Sequence, residues 1–455
     1  MTRYLTNVRH QYENLPYPHR NPAEEKTRLI RPTSERLCNL NHHCYRGRRN
    51  FDDFSALIAG GGTGDGTIYL AAQLTRHPQA KVVHLDISTA SIEVAKKRAK
   101  VRGLTNIEWV HGSILDVAEV CPGPFDYINC TGVLHHLADP DAGLSALKAV
   151  LAPGGAMGLM VYARYGRTGV YQMQELMRLV NDGEEDIGTR VGNARTVLAN
   201  LPPSNWMKRS EDIITDHVRF GDAGVFDLFL HEQDRAYTVQ ETYEFVERAG
   251  LHLLDYAWAR ERMALEPSTW LKNPLLLERI STLPVMERRA IAELTSGTLT
   301  RQHVYAAPEA DRKAQPGVEM VPFLVDFPDP RTHVLLSAHM RRQPGVPVEG
   351  GTASGKFSFT PRRYTADIFQ YLDGNTPLGG IFEKIRGGKS GPSDDELLAD
   401  FAPVYEAFAM ADAMLLRHQD TPPTVEVMHG DALPKGGSKA GKPQKAAKGK
   451  KKKKR

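Results

Sequence analysis

The sequence predicts an α/β fold built around a mainly parallel β-sheet. From Ser55 onward, short apolar runs alternate with amphipathic stretches, which is the pattern of βαβ units. The stretch 89–102 places Ile92, Ala95 and Ala99 at helical spacing. The chain has 455 residues, and domains average roughly 150 residues. We therefore expect a second folded unit.

The predicted elements follow in chain order. Seven strands are expected, at 55–59, 81–86, 106–111, 125–130, 156–163, 251–258 and 301–307. Helices are expected at 64–76, 89–102, 141–151 and 238–249, with helical insertions at 168–216 and 271–296. Thr238 and Glu241 have the spacing of a capping box, which predicts that the helix 238–249 begins there.

The predicted organisation has five parts. They are an N-terminal arm or lid (1–50), the sheet domain (51–308, with a cofactor half 51–165 and a substrate and helical half 166–308), a linker (309–317), a small C-terminal α+β domain (318–420) and a disordered Lys-rich tail (432–455). In the C-terminal domain we expect a last helix that begins at Ser393 and includes Leu415.

Charge and cysteine content narrow the class of protein. The net charge is +4, but the tail 432–455 holds ten Lys and one Arg, and removing these eleven cations leaves −7. The folded part is therefore acidic, so its charge does not indicate a nucleic-acid enzyme. Four cysteines are too few for a disulfide framework. With no signal-peptide pattern and no long apolar run, a cytoplasmic protein without a membrane partner is expected.

A metal site is not predicted. Cys38 and Cys44 flank two histidines, but a Cys-x5-Cys spacing without a second ligand pair is unusual for zinc. We interpret this segment as a packed helix.

A glycine-rich turn follows the first predicted strand. The motif AGGGTG places Gly60, Gly62 and Gly64 at alternate positions. A dinucleotide fingerprint requires a third glycine five residues after the first, where this chain has Asp65 or Thr67. The turn therefore predicts a nucleoside ligand without a pyrophosphate.

The ends of the next strands supply further candidate cofactor contacts. Asp86 lies 22 residues after Gly64, near the spacing at which a carboxylate binds ribose hydroxyls. The other candidates lie beside it or at the ends of the third and fourth strands: Ile87, Ser113, Ile114, Cys130 and Thr131. Ligands of open α/β sheets bind at this edge.

Together these motifs resemble a known enzyme family. The run 57–160, with AGGGTG, HLDIS, GSILD, FDYINCTGVLHHLADP and LAPGG, resembles the class I S-adenosylmethionine-dependent methyltransferases. QYENLPYP and FDLFLHEQDRAYTVQETYEFVERAGL are similar to a bacterial subgroup often joined to tetratricopeptide repeats, which are absent here. The resemblance implies a Rossmann-like seven-stranded sheet and S-adenosyl-L-methionine as cofactor. It departs at Ile58, where the family often has an acidic residue that binds the methionine amino group.

Candidate residues for the chemistry lie on both sides of this run. Methyl transfer from a sulfonium needs alignment of the nucleophile, and a base only when the nucleophile is protonated. His135 and His136 are the best placed imidazoles; the alternative is that they pack or contact cofactor. The candidate substrate contacts are Tyr12 and Tyr17 in a lid, and His231, Asp234 and Tyr237.

The acceptor itself is left open. The first hypothesis is methyl transfer to a small molecule or a protein side chain. The alternatives are a non-catalytic S-adenosylmethionine-binding scaffold or regulatory protein, and an RNA methyltransferase whose Lys-rich tail contacts nucleic acid non-specifically. In the C-terminal domain, YLDGNTPLGGIFEKI resembles winged-helix modules that bind peptides. A peptide or protein partner and a purely packing role are both open for this domain.

Overall fold

The computed structural model describes residues 13, 16–231, 233–425 and 427. Tyr12 and the tail 432–455 lie outside the described residues. Within these ranges, no helix combines the length and the apolar character that crossing a membrane requires.

The central sheet contains eight strands. Their bounds are β1 Ser55–Ala59, β2 Lys81–Asp86, β3 Ile107–His111, β4 Phe125–Thr131, β5 Leu151–Ala163, β6 Ala236–Tyr237, β7 His252–Tyr256 and β8 Arg301–Ala307. The order across the sheet is β3-β2-β1-β4-β5-β8-β7, with the short β6 paired to β5. β8 is antiparallel to both β5 and β7, and the other pairs are parallel. The predicted Rossmann-like sheet is therefore confirmed.

Helices cover both faces of this sheet and form the insertions between its strands. Up to β8 they are Leu37–Cys44, Asp65–Leu74, Thr89–Arg102, Val117–Val120, Pro140–Ala149, Thr168–Val180, Ile187–Ala199, Trp206–Arg209, Asp216–Arg219, Gly221–Phe229, Val239–Arg248, Ala259–Ala264, Pro267–Trp270, Pro274–Ser281 and Val285–Ser296. The capping box of Thr238 and Glu241 is present at the start of Val239–Arg248. Two apolar cores, one on each face, hold the layers together.

Two strand predictions differ from the structure. β5 begins at Leu151 rather than at residue 156, because Leu151 already pairs with Phe125 ahead of a register shift. β6 was not predicted, since two residues are too short to show an alternating pattern.

The C-terminal part contains the strands β9 Met320–Leu324, β10 Val348–Gly351, β11 Lys356–Phe359 and β12 Met414–His418, and the helices Thr332–Arg342, Thr365–Gln370, Leu378–Arg386 and Asp394–Met410. Its strands form two antiparallel pairs, β9 with β12 and β10 with β11. Ser393 caps the last helix as predicted. The placement of Leu415 in that helix is wrong: Asp412 has a positive φ of 49°, and the chain turns there into β12.

The segment that joins the two parts packs against the N-terminal arm. The backbone N–H of Ala314 donates to the carbonyl of His42 at 2.7 Å. The N–H of Leu416 in β12 donates to His42 Nδ1 at 3.0 Å. Arg36 forms two hydrogen bonds with Asp326, at 2.8 and 2.9 Å. The arm is thus fastened to the C-terminal part. The domain boundaries and the winged-helix resemblance stay predictions.

Candidate cofactor and acceptor site

A cavity of about 1100 Å³ opens at the carboxyl ends of β1 to β5. Single-ligand pockets usually enclose about 300 to 1,000 Å³, so this cavity has room for more than one ligand. The strand ends contribute Gly60, Gly61, Gly62, Asp86, Ile87, Ser113, Ile114, Asn129 and Thr131 to its wall. The N-terminal arm roofs it with residues between Tyr17 and Glu35.

The glycine turn brings the backbone directly to the cavity. The N–H groups of Gly60 and Gly61 both donate to the carbonyl of Leu85, at 2.8 and 3.1 Å. Gly60 has a φ of +70°, and a Cβ there would lie 2.4 Å from Val133 Cγ2. A side chain at this position would therefore both strain the turn and clash with its neighbour.

Asp86 holds this turn and also lines the cavity. One carboxylate oxygen accepts the N–H of Gly62 at 2.7 Å, and the other accepts the N–H of Ser88 at 2.8 Å. Burial raises the pKa of Asp86, and the two N–H donors oppose that rise. Because a carboxylate can accept about four hydrogen bonds, two acceptor positions are left for the predicted ribose contact.

The other predicted cofactor residues divide into two groups. Ile87, Ser113, Ile114 and Thr131 line the cavity. Gly64 does not; it precedes the helix Asp65–Leu74 with a φ of +98°, which favours glycine. Cys130 also lies outside the lining, fully buried in the core, where burial raises its pKa to about 12. The structure thus gives Gly64 and Cys130 structural positions.

His135 and His136 occupy different environments in the 3₁₀ turn Leu134–His136. His136 lines the cavity, and its Nδ1 lies 2.9 Å from the carbonyl of Gln233. His135 is fully buried, and neither ring nitrogen has a hydrogen-bond partner among the described residues. Burial holds the pKa of His135 well below its usual value. Of the predicted pair, the structure therefore brings His136 to the cavity.

The predicted substrate residues His231, Asp234 and Tyr237 lie behind the cavity wall. The ring of His231 stacks on His136 with centroids 3.8 Å apart. Asp234 Oδ2 accepts the amide of Gln174 at 3.0 Å. Tyr237 is buried in β6. These three residues are not part of the cavity lining, whereas Tyr17 is; their contact with substrate stays a prediction.

Part of the cavity forms a polar chamber, most of whose residues sequence reasoning missed. It is lined by Tyr17 from the arm, His136, Tyr162 from β5, Asp216, Phe220 and Asp227 from the helical insertion, Trp258 after β7, and Arg301 and His303 from β8. Arg301 donates to Asp216 Oδ2 at 2.5 Å. The ring of Tyr17 meets Phe220 edge to face at 5.7 Å, which connects the arm to the chamber.

Asp227 is the most deeply buried carboxylate of this chamber, at 4% exposure. The hydroxyl of Tyr162 donates to its Oδ2 at 3.5 Å. Burial raises the pKa of Asp227, and the nearby His136 and Arg167 oppose that rise. The sequence did contain a signal for this residue, because Asp227 is the one charge in the apolar run Val225–Phe229 of the helix Gly221–Phe229.

Two groups of described residues bring ligand atoms close enough for a metal ion: His135, His136 and Asp234, and His136, Asp227 and His231. In the second group the rings of His136 and His231 are stacked, so their in-plane lone pairs do not converge on one point. In the first, the Arg167 guanidinium lies 3.7 Å from Asp234 and already supplies a positive charge. Neither group suits a metal ion.

Ion pairs fix the arm above the cavity. Arg98 donates to Glu25 Oε1 at 2.7 Å and to Asp65 Oδ1 at 2.7 Å. Arg20 donates to the other oxygen of Asp65 at 2.6 Å. Thr63, at the end of the glycine turn, donates its hydroxyl to the carbonyl of Pro18 at 2.7 Å. The arm is therefore bound to the start of the helix Asp65–Leu74 and to the helix Thr89–Arg102.

Comparison with known proteins agrees with this geometry. Residues 57–157 match the family model described as a methyltransferase domain. An uncharacterised Synechococcus protein is 34% identical over 54% of this chain and 58% of its own length. The tRNA 5-carboxymethoxyuridine methyltransferase of Escherichia coli is 36% identical over 24% of this chain and 41% of its own length. The chain thus spans about half the length of these curated relatives.

Structural similarity extends over most of the chain. The structure of PKMT2 from Rickettsia typhi in complex with AdoHcy covers 87% of this chain and 76% of that one, at a TM-score of 0.56 and 15% identity. At this identity the likeness concerns the fold. The family model shows a methyltransferase domain over residues 57–157, for which S-adenosylmethionine is the cofactor, and the structural likeness agrees with its fold.

Proposed function

We propose that the protein transfers a methyl group from S-adenosylmethionine to an oxygen or nitrogen atom of a polar acceptor, either a small molecule or a protein side chain. One observation carries this proposal: the cofactor residues at the strand ends and the ionisable residues of the chamber line the same cavity. An acceptor in the chamber would lie next to the methionine end of the cofactor.

The bound cofactor would supply a methyl group activated by its sulfonium charge, so the leaving group needs no acid. Asp86 and the glycine turn would hold the nucleoside. Asp227 would take the proton from the attacking O–H or N–H, because a buried carboxylate with a raised pKa is a stronger base than an exposed one. Tyr17 and Tyr162 would orient the acceptor, and the arm would exclude water.

The polar chamber favours an O–H or N–H nucleophile over an apolar carbon. Its lining includes two carboxylates, two phenols and the imidazoles of His136 and His303. Such groups form hydrogen bonds with a polar acceptor, whereas an apolar one would leave them without partners. A scaffold that only bound the cofactor would have no need of this chamber.

The acceptor class can be identified by incubating the purified protein with S-adenosylmethionine labelled in the methyl group and with lysate fractions. We expect label in the small-molecule or protein fraction, and none with the variant Asp86→Ala, which would lose the ribose contact. Label confined to RNA would contradict the proposed acceptor class. Cofactor binding without transfer to any fraction would support the scaffold alternative instead.

A further inference from the structure

The methionine end of the cofactor site lacks the acidic residue that the family often has. At that position, Ile58 lines the cavity with an apolar side chain and is 3% exposed. The methionine portion of S-adenosylmethionine carries an α-ammonium group. A cation taken out of water needs a nearby carboxylate or several hydrogen-bond acceptors.

Glu35, in the arm, brings a carboxylate to this end of the cavity. It lies in the 3₁₀ turn Thr33–Glu35, lines the cavity and is 2% exposed. A Cβ placed on Gly66 would lie 3.0 Å from Glu35 Oε1. The carboxylate therefore rests on the backbone just after the glycine turn.

The backbone around Glu35 is tied to the sheet and to the first helix after the turn. The hydroxyl of Tyr127 in β4 donates to the carbonyl of Ser34 at 2.7 Å. The amide of Gln73 donates to the carbonyl of Glu35 at 2.8 Å. These bonds hold the side chain in the cavity wall rather than leaving it on a loose arm.

Unlike Asp65 and Asp216, which also line the cavity, Glu35 has no cation partner. Asp65 is bound by Arg20 and Arg98, and Asp216 is bound by Arg301. Among the described residues, Glu35 Oε2 has no hydrogen-bond partner and no ion pair includes this side chain. A buried carboxylate oxygen without a partner is costly unless a ligand satisfies it.

The pKa of Glu35 agrees with a site that receives a cation. Burial, together with the negative charge of Asp65, raises it to about 8. A bound ammonium would favour the ionised carboxylate and lower this pKa.

We propose that Glu35 binds the α-ammonium group of the cofactor's methionine portion, a contact that the apolar side chain of Ile58 cannot make. The inference rests on the cofactor of the proposed function and extends it to a residue of the arm. It also gives the arm a role in cofactor binding, because the arm holds this carboxylate in the cavity wall.

Two ligands separate this contact from the rest of the site. S-adenosylhomocysteine contains the amino-acid portion, whereas 5′-methylthioadenosine has the same nucleoside and thioether without it. A hydrogen bond to a charged group contributes about 1.5 to 3 kcal/mol, which corresponds to about 10-fold to 150-fold in affinity. In calorimetric titrations, Glu35→Gln should weaken S-adenosylhomocysteine by about that factor and leave 5′-methylthioadenosine unchanged.

Matched variants control for the substitution itself. Glu93→Gln makes the same change on an exposed carboxylate outside the cavity lining and should leave both affinities unchanged. Glu35→Asp keeps the charge but shortens its reach, and should weaken S-adenosylhomocysteine less than Glu35→Gln does. This milder variant also serves if Glu35→Gln fails to fold.

The outcomes distinguish this inference from the proposed function. Wild-type affinity for S-adenosylhomocysteine in Glu35→Gln, or equal weakening of both ligands, would overturn the role of Glu35 and leave the cofactor assignment intact. A wild-type protein that binds neither ligand would overturn both.

Discussion

The two ends of the cavity are built in different ways. Apart from Glu35, the residues proposed for the cofactor end come from one stretch of chain between Ile58 and Val133, where the glycine turn and the Asp86 carboxylate would bind the nucleoside. The acceptor chamber combines side chains from positions as distant as Tyr17 and His303. The cofactor does not vary, so one contiguous segment of backbone can bind it. A chamber formed by separate side chains can be altered to suit a different acceptor without disturbing the sheet.

The same difference appears in the two buried aspartates. Asp86 accepts two backbone N–H groups and is thereby part of the turn that it supports. Asp227 is instead surrounded by side chains, among them the hydroxyl of Tyr162. We therefore expect substitutions at the two ends to affect different steps, binding at one and transfer at the other.

Removing the carboxylate of Asp227 should have the largest effect. Asp227→Asn should lower the methyl-transfer rate by about 10² to 10⁴, the usual contribution of a general base. Single-turnover measurements with labelled cofactor would determine the rate. Asp222→Asn, on the exposed side of the same helix, should behave like the wild type. A fully active Asp227→Asn variant would show that Asp227 is not the general base.

The rate of transfer should also depend on pH through Asp227. The ionised form takes the proton, and burial raises its pKa, so kcat/KM should decrease as the pH falls through this raised value. The low-pH limb of the profile should disappear in the residual activity of Asp227→Asn. Persistence of that limb would assign it to another group.

Substitution of the buried Arg98 should show how much its ion pairs with the arm contribute to stability. Arg98→Met would leave Glu25 buried without one of its two arginine partners. Breaking a buried ion pair costs about 3 to 5 kcal/mol, and the free energy of unfolding in denaturant should fall by that amount. Lys96→Met, which breaks an exposed pair on the same helix, is the control. Equal effects of the two substitutions would contradict a structural role for the buried network.

Asp86→Ala should weaken the nucleoside rather than the amino-acid portion of the cofactor. Loss of two charged hydrogen bonds to the ribose should lower the affinity by about 100-fold or more. Titrations should show the same factor for S-adenosylhomocysteine and for 5′-methylthioadenosine. A loss of affinity that differed between the two ligands would contradict a contact between Asp86 and the ribose.

Tyr17→Phe should produce the smallest effect. The variant keeps the ring that meets Phe220 and loses only the hydroxyl. One neutral hydrogen bond contributes about 1 kcal/mol, so KM for the acceptor should rise by about five-fold. An equal loss of cofactor affinity would indicate that Tyr17 contacts the cofactor rather than the acceptor.

The cofactor end could be predicted from the sequence because its residues follow one another at fixed spacing. Gly60, Gly62 and Asp86 each lie where a strand ends, so periodicity alone brings them to one edge. Asp227 stands out in the sequence as a lone charge in an apolar run, but only tertiary packing brings it and Arg301 to the same cavity, and no local pattern shows that. Glu35 was missed for the same reason.

Two of the substrate candidates, His231 and Asp234, do not line the cavity, and their contact with substrate stays a prediction. They were chosen as a polar cluster just ahead of the helix 238–249; in the structure His231 stacks on His136, and Asp234 lies beside Arg167. The residue that reaches the chamber from this part of the chain is Asp227. The helix Gly221–Phe229 is buried on several sides, so its polarity pattern does not show which side faces a cavity.

A crystal structure with S-adenosylhomocysteine bound would test the division of the cavity most directly. We expect the ribose hydroxyls on Asp86, the amino group of the homocysteine portion beside Glu35, and the sulfur atom facing the chamber of Tyr17, Tyr162 and Asp227. A sulfur atom directed away from Asp227, or a ligand whose ribose lay in the chamber, would contradict it.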